Sequence, residues 1–169
     1  MRNRPDFAAY VEERSPRLLR TAYLLCRDWA LAEDLLQTAL VKVWRAWRRV
    51  SGDPDPYVYR VLVNTHASWW RRRWRSEIPT DSPPELADPV DATQVADDRS
   101  AILAALGRLT DRQRAVLILR YFEDLTEQQV AKILGCSVGT VKSQSSKALA
   151  KLRIDPEITA PVAALEARS

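Results

Sequence analysis

The chain of 169 residues carries 26 basic and 22 acidic side chains, a net charge of +4 and 46% hydrophobic residues, which suits one medium domain or two small ones with modest cores. One histidine and two distant cysteines, Cys26 and Cys136, leave no plausible zinc cluster, and no apolar run approaches the roughly twenty residues of a membrane span. A polar start, MRNRPDF, without a signal-peptide core, and two thiols better read as buried and free than as paired, predict a soluble protein of a reducing cytoplasm with no membrane insertion.

Residues 6 to 76 show helical periodicity almost throughout, with no sustained alternation of the kind strands require. Leu18, Ala22 and Cys26 form one apolar stripe, and Leu36, Leu40, Val43 and Trp47 form another; both are assigned to a core. Glu33 and Asp34 are expected in the first turn of a helix, where acids interact favourably with the macrodipole. Gln37 and Lys42 have no such local explanation and are candidates for a partner-facing surface. The turn SGDPDP breaks the pattern, and Asp55 followed by Pro56 starts a new helix: a side-chain cap, then a proline where no amide donor is needed.

Along that helix, PYVYRVLVNTHASWWRRRWR, Val58, Leu62 and Thr65 can face inward, whereas Asn64, Trp69, Trp70, Arg71, Arg72, Arg73 and Arg75 cannot all be buried. Aromatics interleaved with arginines suit a single nucleic-acid strand: indoles stack on unpaired bases, guanidiniums hold phosphates, and an amide such as Asn64 can hydrogen-bond to a base edge. Arginines at a helix C-terminus are also favoured by the macrodipole, and tryptophans at helical spacing often fill cores, so the helix alone supports either reading. His66, with no carboxylate or nucleophile at a meaningful spacing, is expected at the surface or its boundary without a catalytic role.

Residues 77 to 99 hold seven acids, one base and four prolines, a composition that cannot bury enough apolar surface to order itself and reads as a flexible acidic linker. Splitting the chain there uncovers a pattern that the overall balance conceals. Residues 1 to 76 have fifteen bases and eight acids, and residues 100 to 154 have nine and four, while a tail from 155 to 169 is acidic. Two basic bodies joined by an acidic strap point to two contacts with a polyanion, with nucleic acid foremost.

In the second body, LTEQQVAKILGCSVGTVKSQSSKALAKL describes a helix-turn-helix. Thr126 with Gln129 forms a capping box; Val130, Ile133 and Leu134 give the first helix an apolar face; Gly135 ends it, with Ala131 small enough for close crossing. Ser137 can cap the second helix, whose Val141, Ala148, Leu149 and Leu152 share one face while Lys142, Ser143, Ser146 and Lys147 lie away from it. A free face of small and basic residues can enter a major groove. The expected fold is therefore all-α: two small helical domains, 1–76 and 100–154, joined by the linker at 77–99.

Taken together these segments resemble the sigma-70 family of bacterial transcription initiation factors, in its small extracytoplasmic-function group. AEDLLQTALVKVWRAW is similar to the segment by which the family's sigma-two domain grips the clamp helices of RNA polymerase, and YRVLVNTHASWWRRR resembles its minus-ten element reader. The helix-turn-helix resembles the sigma-four domain, and RTAYLL and SWWRRR are similar to the actinobacterial SigE-like branch. The resemblance implies polymerase contacts at Asp34, Gln37 and Lys42, and capture near Asn64 of a flipped base of the non-template strand. It implies contacts to the minus-thirty-five element from Lys142, Ser143, Ser146 and Lys147. Implied partners are core polymerase through its clamp helices and flap, promoter DNA as duplex and as non-template single strand, and an anti-sigma factor. Gln144 and Ser145 depart from the pattern, since relatives often carry arginine and a larger apolar residue there, which lowers the phosphate grip expected of the second helix.

A stand-alone regulator of the LuxR type also often reads GTVK in its C-terminal helix-turn-helix, but its first half should hold a sensor or receiver domain with alternating strands and helices. An enzyme finds no support in any nucleophile, metal or paired-acid arrangement, and no cofactor is expected.

Overall fold

Every regular element among the described residues is helical. The computed structural model describes residues 6–76 and 94–153, and the side chains of 6–72 and 100–153 within them. Contacts divide the described residues into two units, one of residues 6–76 together with 132–135 and the other of residues 94–131 and 136–153.

Asp6 opens α1 (Phe7–Cys26) by accepting the Ala8 amide at 3.3 Å. Pro16 lies inside the helix on its exposed side, where water can satisfy the carbonyl that loses its amide partner. The helix ends at Arg27, whose φ of 59° is left-handed without the help of a glycine, and its amide donates to the Tyr23 carbonyl at 2.6 Å. Asp28 then caps α2 (Trp29–Ala46), accepting the Leu31 amide at 2.9 Å. This two-residue break corrects the expected helix start: Glu33 and Asp34 are not in the first turn of α2 but one turn further in, both exposed. Asp28, from outside the helix, satisfies the orphan amide instead.

A short 3-10 turn (Trp47–Arg49) leads to α3 (Asp55–Ser76). The start of α3 is also wired differently from expectation. Asp53 accepts the Asp55 amide at 3.0 Å, while the Asp55 carboxylate turns back to α1, accepting the Tyr10 hydroxyl at 2.8 Å and pairing with Arg14 at 3.6 Å. The core holds Leu18, Ala22, Leu25 and Cys26 of α1, Ala32, Leu35, Leu36, Ala39 and Val43 of α2, and Val58, Tyr59, Leu62 and Val63 of α3. Thr65 is buried as expected, and Leu40 and Trp47 of the predicted stripe are half-buried. Phe7 meets Trp44 and Trp47 with ring centroids 5.0 and 5.1 Å apart, joining the start of α1 to the end of α2.

In the second unit α4 (Gln94–Gly107) begins within the stretch assigned to the linker. The run AILAAL of good helix formers follows directly at 101–106, and the composition of 77–99 alone masked the helix that leads into it. Residues 77–93 of the linker and the tail at 155–169 lie outside the described residues. Thr110 and Gln113 form a capping box that starts α5 (Asp111–Leu117), which runs on as a π-helical turn (Ile118–Phe122). Arg114, 4% exposed, is satisfied by the Leu106 carbonyl at 2.8 Å, the Leu109 carbonyl at 3.1 Å and Asp111 at 3.5 Å, so its burial leaves no lone charge. The unit closes with α6 (Glu127–Leu134) and α7 (Val138–Arg153), and α7 packs on α5.

The Tyr10 phenol is held protonated well above the usual tyrosine range, first by burial and then by its bond to Asp55. A pKa raised in the folded state gives stabilisation that is whole below the unfolded value, about 10, and is lost as pH climbs through the folded value. Tyr10→Phe should therefore cost about 1 kcal/mol at neutral pH and flatten the fall in stability above pH about 10, as read from urea midpoints at pH 7 and 11. An equally steep alkaline fall in the variant would show that Tyr10 is not its source.

Candidate nucleic-acid interface

The helix-turn-helix forms from local instructions. Thr126 accepts the Gln129 amide at 3.2 Å while the Gln129 side chain accepts the Thr126 amide at 2.8 Å, so both halves of the capping box are made. Gly135 takes φ +64°, and the following Cys136 amide donates to the Ala131 carbonyl at 3.0 Å. Ser137 accepts the Thr140 amide at 3.1 Å and starts α7. Val130, Ala131, Ile133, Val141, Ala148 and Leu152 are buried, with Leu134 and Leu149 half-buried.

Lys142, Ser143, Ser146 and Lys147 are all exposed, and at about 100° per residue they span one continuous face of α7 roughly 140° wide. Lys142, exposed, lies 3.8 Å from half-buried Glu127 of α6, a pair near the surface that contributes little to stability. Ser145, one of the departures from the family pattern, takes a place in the buried stripe between Val141 and Ala148. Gln144 is half-buried at the margin.

On α3 the structure sorts the predicted set. Asn64, Arg71 and Arg72 are exposed; Asn64 and Arg71, seven residues apart, share one face about two turns apart along the helix. Trp69 and Trp70 are half-buried, and the Arg73 side chain lies outside the described residues. The expectation for His66 is corrected. It is 3% exposed, and its Nε2 accepts the Trp70 indole N–H at 2.7 Å, a satisfied polar group inside the core margin. The signal was present in the four-residue spacing of a histidine and a tryptophan on one helix face.

Of the partner-facing candidates on α2, Asp34, Gln37 and Lys42 are all exposed, but they do not share one face. Lys42 lies about 140° around the helix from Gln37, and its Nζ donates to Thr65 Oγ1 of α3 at 3.1 Å. Sequence reasoning passed over Val41 and Trp44, exposed at 52% and 61%, which continue the Gln37 face at spacings of four and three. With Phe7 and Leu40 they line a shallow apolar groove of about 380 Å³. Their phase, off the buried stripe of Leu36 and Val43, would have singled them out. Among the described residues no group of histidine, cysteine or carboxylate side chains could hold a metal ion, and no helix is long and apolar enough to cross a membrane.

Two helical units, one of them a helix-turn-helix with an open polar face, are the architecture of a DNA-binding protein. Residues 10–76 match sigma-70 region 2 and residues 99–152 match sigma-70 region 4. The chain is 41% identical over 151 residues to the RNA polymerase sigma-E factor of Streptomyces coelicolor, covering 88% of this chain and 84% of the relative. It is 32% identical over 153 residues to the extracytoplasmic-function sigma factor SigL of Mycobacterium tuberculosis, covering 86% of each. Its fold superposes with a TM-score of 0.70 and 26% identity on the sigma factor RpoE of Bartonella quintana, solved in complex with the anti-sigma factor NepR, over 88% of this chain and 94% of that one. The chain belongs to the sigma-70 family, in the extracytoplasmic-function group and its actinobacterial SigE-like branch.

Gly135 and Gly139 provide a matched pair of substitutions in the helix-turn-helix. Neither has a crowded neighbour, but only Gly135 has a positive φ, so Gly135→Ala should cost about 1 kcal/mol through backbone strain. Gly139→Ala, inside α7, should gain up to about 1 kcal/mol. Thermal unfolding of both variants checks the opposite signs.

Proposed function

We propose that this chain joins core RNA polymerase and directs it to promoters, with α3 reading the minus-ten element and α7 the minus-thirty-five element. The observation that carries the reading is the match of the two units, in order, to sigma-70 regions 2 and 4, with an exposed polar or basic helix face on each. The domain limits are taken as 1–76 and about 94–154, since α4 starts at Gln94.

In this reading Asn64, the tryptophan pair and Arg71 to Arg73 engage the unpaired non-template strand. Base extrusion costs a few kcal/mol of unstacking, which stacking and base-edge hydrogen bonds must offset. Lys142 and Lys147 hold duplex phosphates, and Ser143 and Ser146 reach toward base edges in the major groove. Asp34 and Gln37 meet the polymerase clamp helices, and their face extends through Val41 and Trp44, whose exposed apolar surface suits a protein partner. The second unit would meet the flap. Two weak DNA contacts held in fixed relation by polymerase act as one selective contact through effective concentration, so the free chain binds promoters poorly.

The chain acts in the cytoplasm beside polymerase and performs no covalent chemistry of its own. The Bartonella relative's complex with NepR supports an anti-sigma factor as a further partner. The stand-alone regulator reading leaves the α1 to α3 unit, with its match to region 2, without a role.

Run-off transcription with sigma-free core polymerase on a fragmented genomic library should give discrete transcripts only when this chain is added. No transcripts, together with tight binding of specific duplex DNA by the chain alone, would instead establish the stand-alone regulator. Within the holoenzyme, Lys147→Ala should weaken promoter binding and lower the slope of log affinity against log salt by about one. An unchanged slope removes Lys147 from the phosphate-contacting set.

A further inference from the structure

We infer that His66 is a positioning residue that fixes the orientation of Trp70, restricting that ring to stacking on unpaired bases and leaving base identity to Asn64. The inference rests on the proposed role of α3 as the single-strand reader. His66 and Trp70 stand one turn apart on α3, with ring centroids 6.1 Å apart at 70°. The indole has a single hydrogen-bond donor, and it is spent on His66 Nε2 at 2.7 Å. That bond requires a neutral imidazole with its proton on Nδ1.

His66 is buried, so the nitrogen edge of the Trp70 indole is turned toward the body of the unit. A half-buried indole held in this way has no N–H to offer a base edge, so whatever part of it meets a strand is ring carbon. Carbon π-surface stacks on any of the four bases and so contributes affinity with little sequence preference. Asn64, exposed on the same helix, keeps an amide donor and acceptor that do distinguish base edges. Fixing the indole before the strand arrives also removes the ordering cost of a rotatable side chain at the moment of capture.

The test uses holoenzyme assembled from core polymerase and this chain, bound to fork-junction DNA whose non-template strand is unpaired across the minus-ten element, with each of the four bases in turn at the stacked position. Trp70→Ala should weaken binding about tenfold, by a similar factor on all four bases. Asn64→Ala should change the ranking of the bases. His66→Ala should cost about fivefold with Trp70 present and less than about twofold in a Trp70→Phe background, because phenylalanine has no donor to lose. His66→Gln, which keeps an acceptor, should recover most of the loss, and the indole N–H resonance of Trp70 should shift in His66→Ala and return toward its place in His66→Gln.

An equal cost of His66→Ala in both backgrounds would overturn the inference, as would a Trp70→Ala loss concentrated on one base. Should His66→Ala not fold, His66→Leu, which fills the buried site without an acceptor, replaces it in the same two backgrounds: a loss confined to the Trp70 background supports the inference and an equal loss in both overturns it. The wild-type holoenzyme is measured first, and its failure to transcribe would count against the proposed function, whereas the indole resonance reports on the His66–Trp70 bond independently.

Discussion

The burial of α3 against α1 and α2 is the constraint on which the first unit depends. Val58, Tyr59, Leu62, Val63, Thr65 and His66 face inward, and a helix advancing about 100° per residue then has no freedom left in what it turns outward. Asn64, Arg71 and Arg72 are presented because their neighbours are buried. Two polar links hold this phase: Tyr10 of α1 bonds to Asp55 at the start of α3, and Lys42 of α2 bonds to Thr65 near its middle. The exposed polar face of α3 thus takes its geometry from the apolar core beneath it.

The second unit solves the same problem with shorter-range means. Its helices are brief, so side chains close the gaps between them. Arg114 takes up carbonyls left at the end of α4 and beyond, and Gln113 serves both as a capping partner of Thr110 and as an acceptor for Lys151 of α7 at 3.0 Å. A lysine at position 114 would carry the charge but lack the planar fork that reaches two carbonyls and a carboxylate together. The charge pattern agrees with two bodies: residues 1–76 and 100–154 are each basic on balance, and the segment between them is acidic.

How much was legible in the sequence depended on the range of each signal. The capping box at Thr126, the glycine stop at Gly135 and the cap at Ser137 are all decided within four residues, and all three were read correctly. The break between α1 and α2 was missed because Arg27 adopts a left-handed conformation with no glycine or asparagine to announce it, and the error moved Glu33 and Asp34 into the wrong turn. Asp55 was read as a local cap, but its carboxylate is claimed by Tyr10, 45 residues away in sequence. Lys42, singled out because it has no local explanation, is exposed and also donates to Thr65 of α3, a link between helices that no local pattern announces. His66 was judged by what it lacked for catalysis, not by the donor one turn along.

The locally made starts of α6 and α7 have a thermodynamic consequence for the helix-turn-helix. Because Thr126, Gln129, Gly135 and Ser137 set the turn without help from a ligand, the free unit already occupies the shape that a groove would accept. Association then resembles docking more than coupled folding, with a small change in heat capacity and an encounter rate governed by long-range charge. A lesion in one of these caps would act by lowering the fraction of molecules competent to bind, and would leave the intrinsic affinity of the competent ones intact.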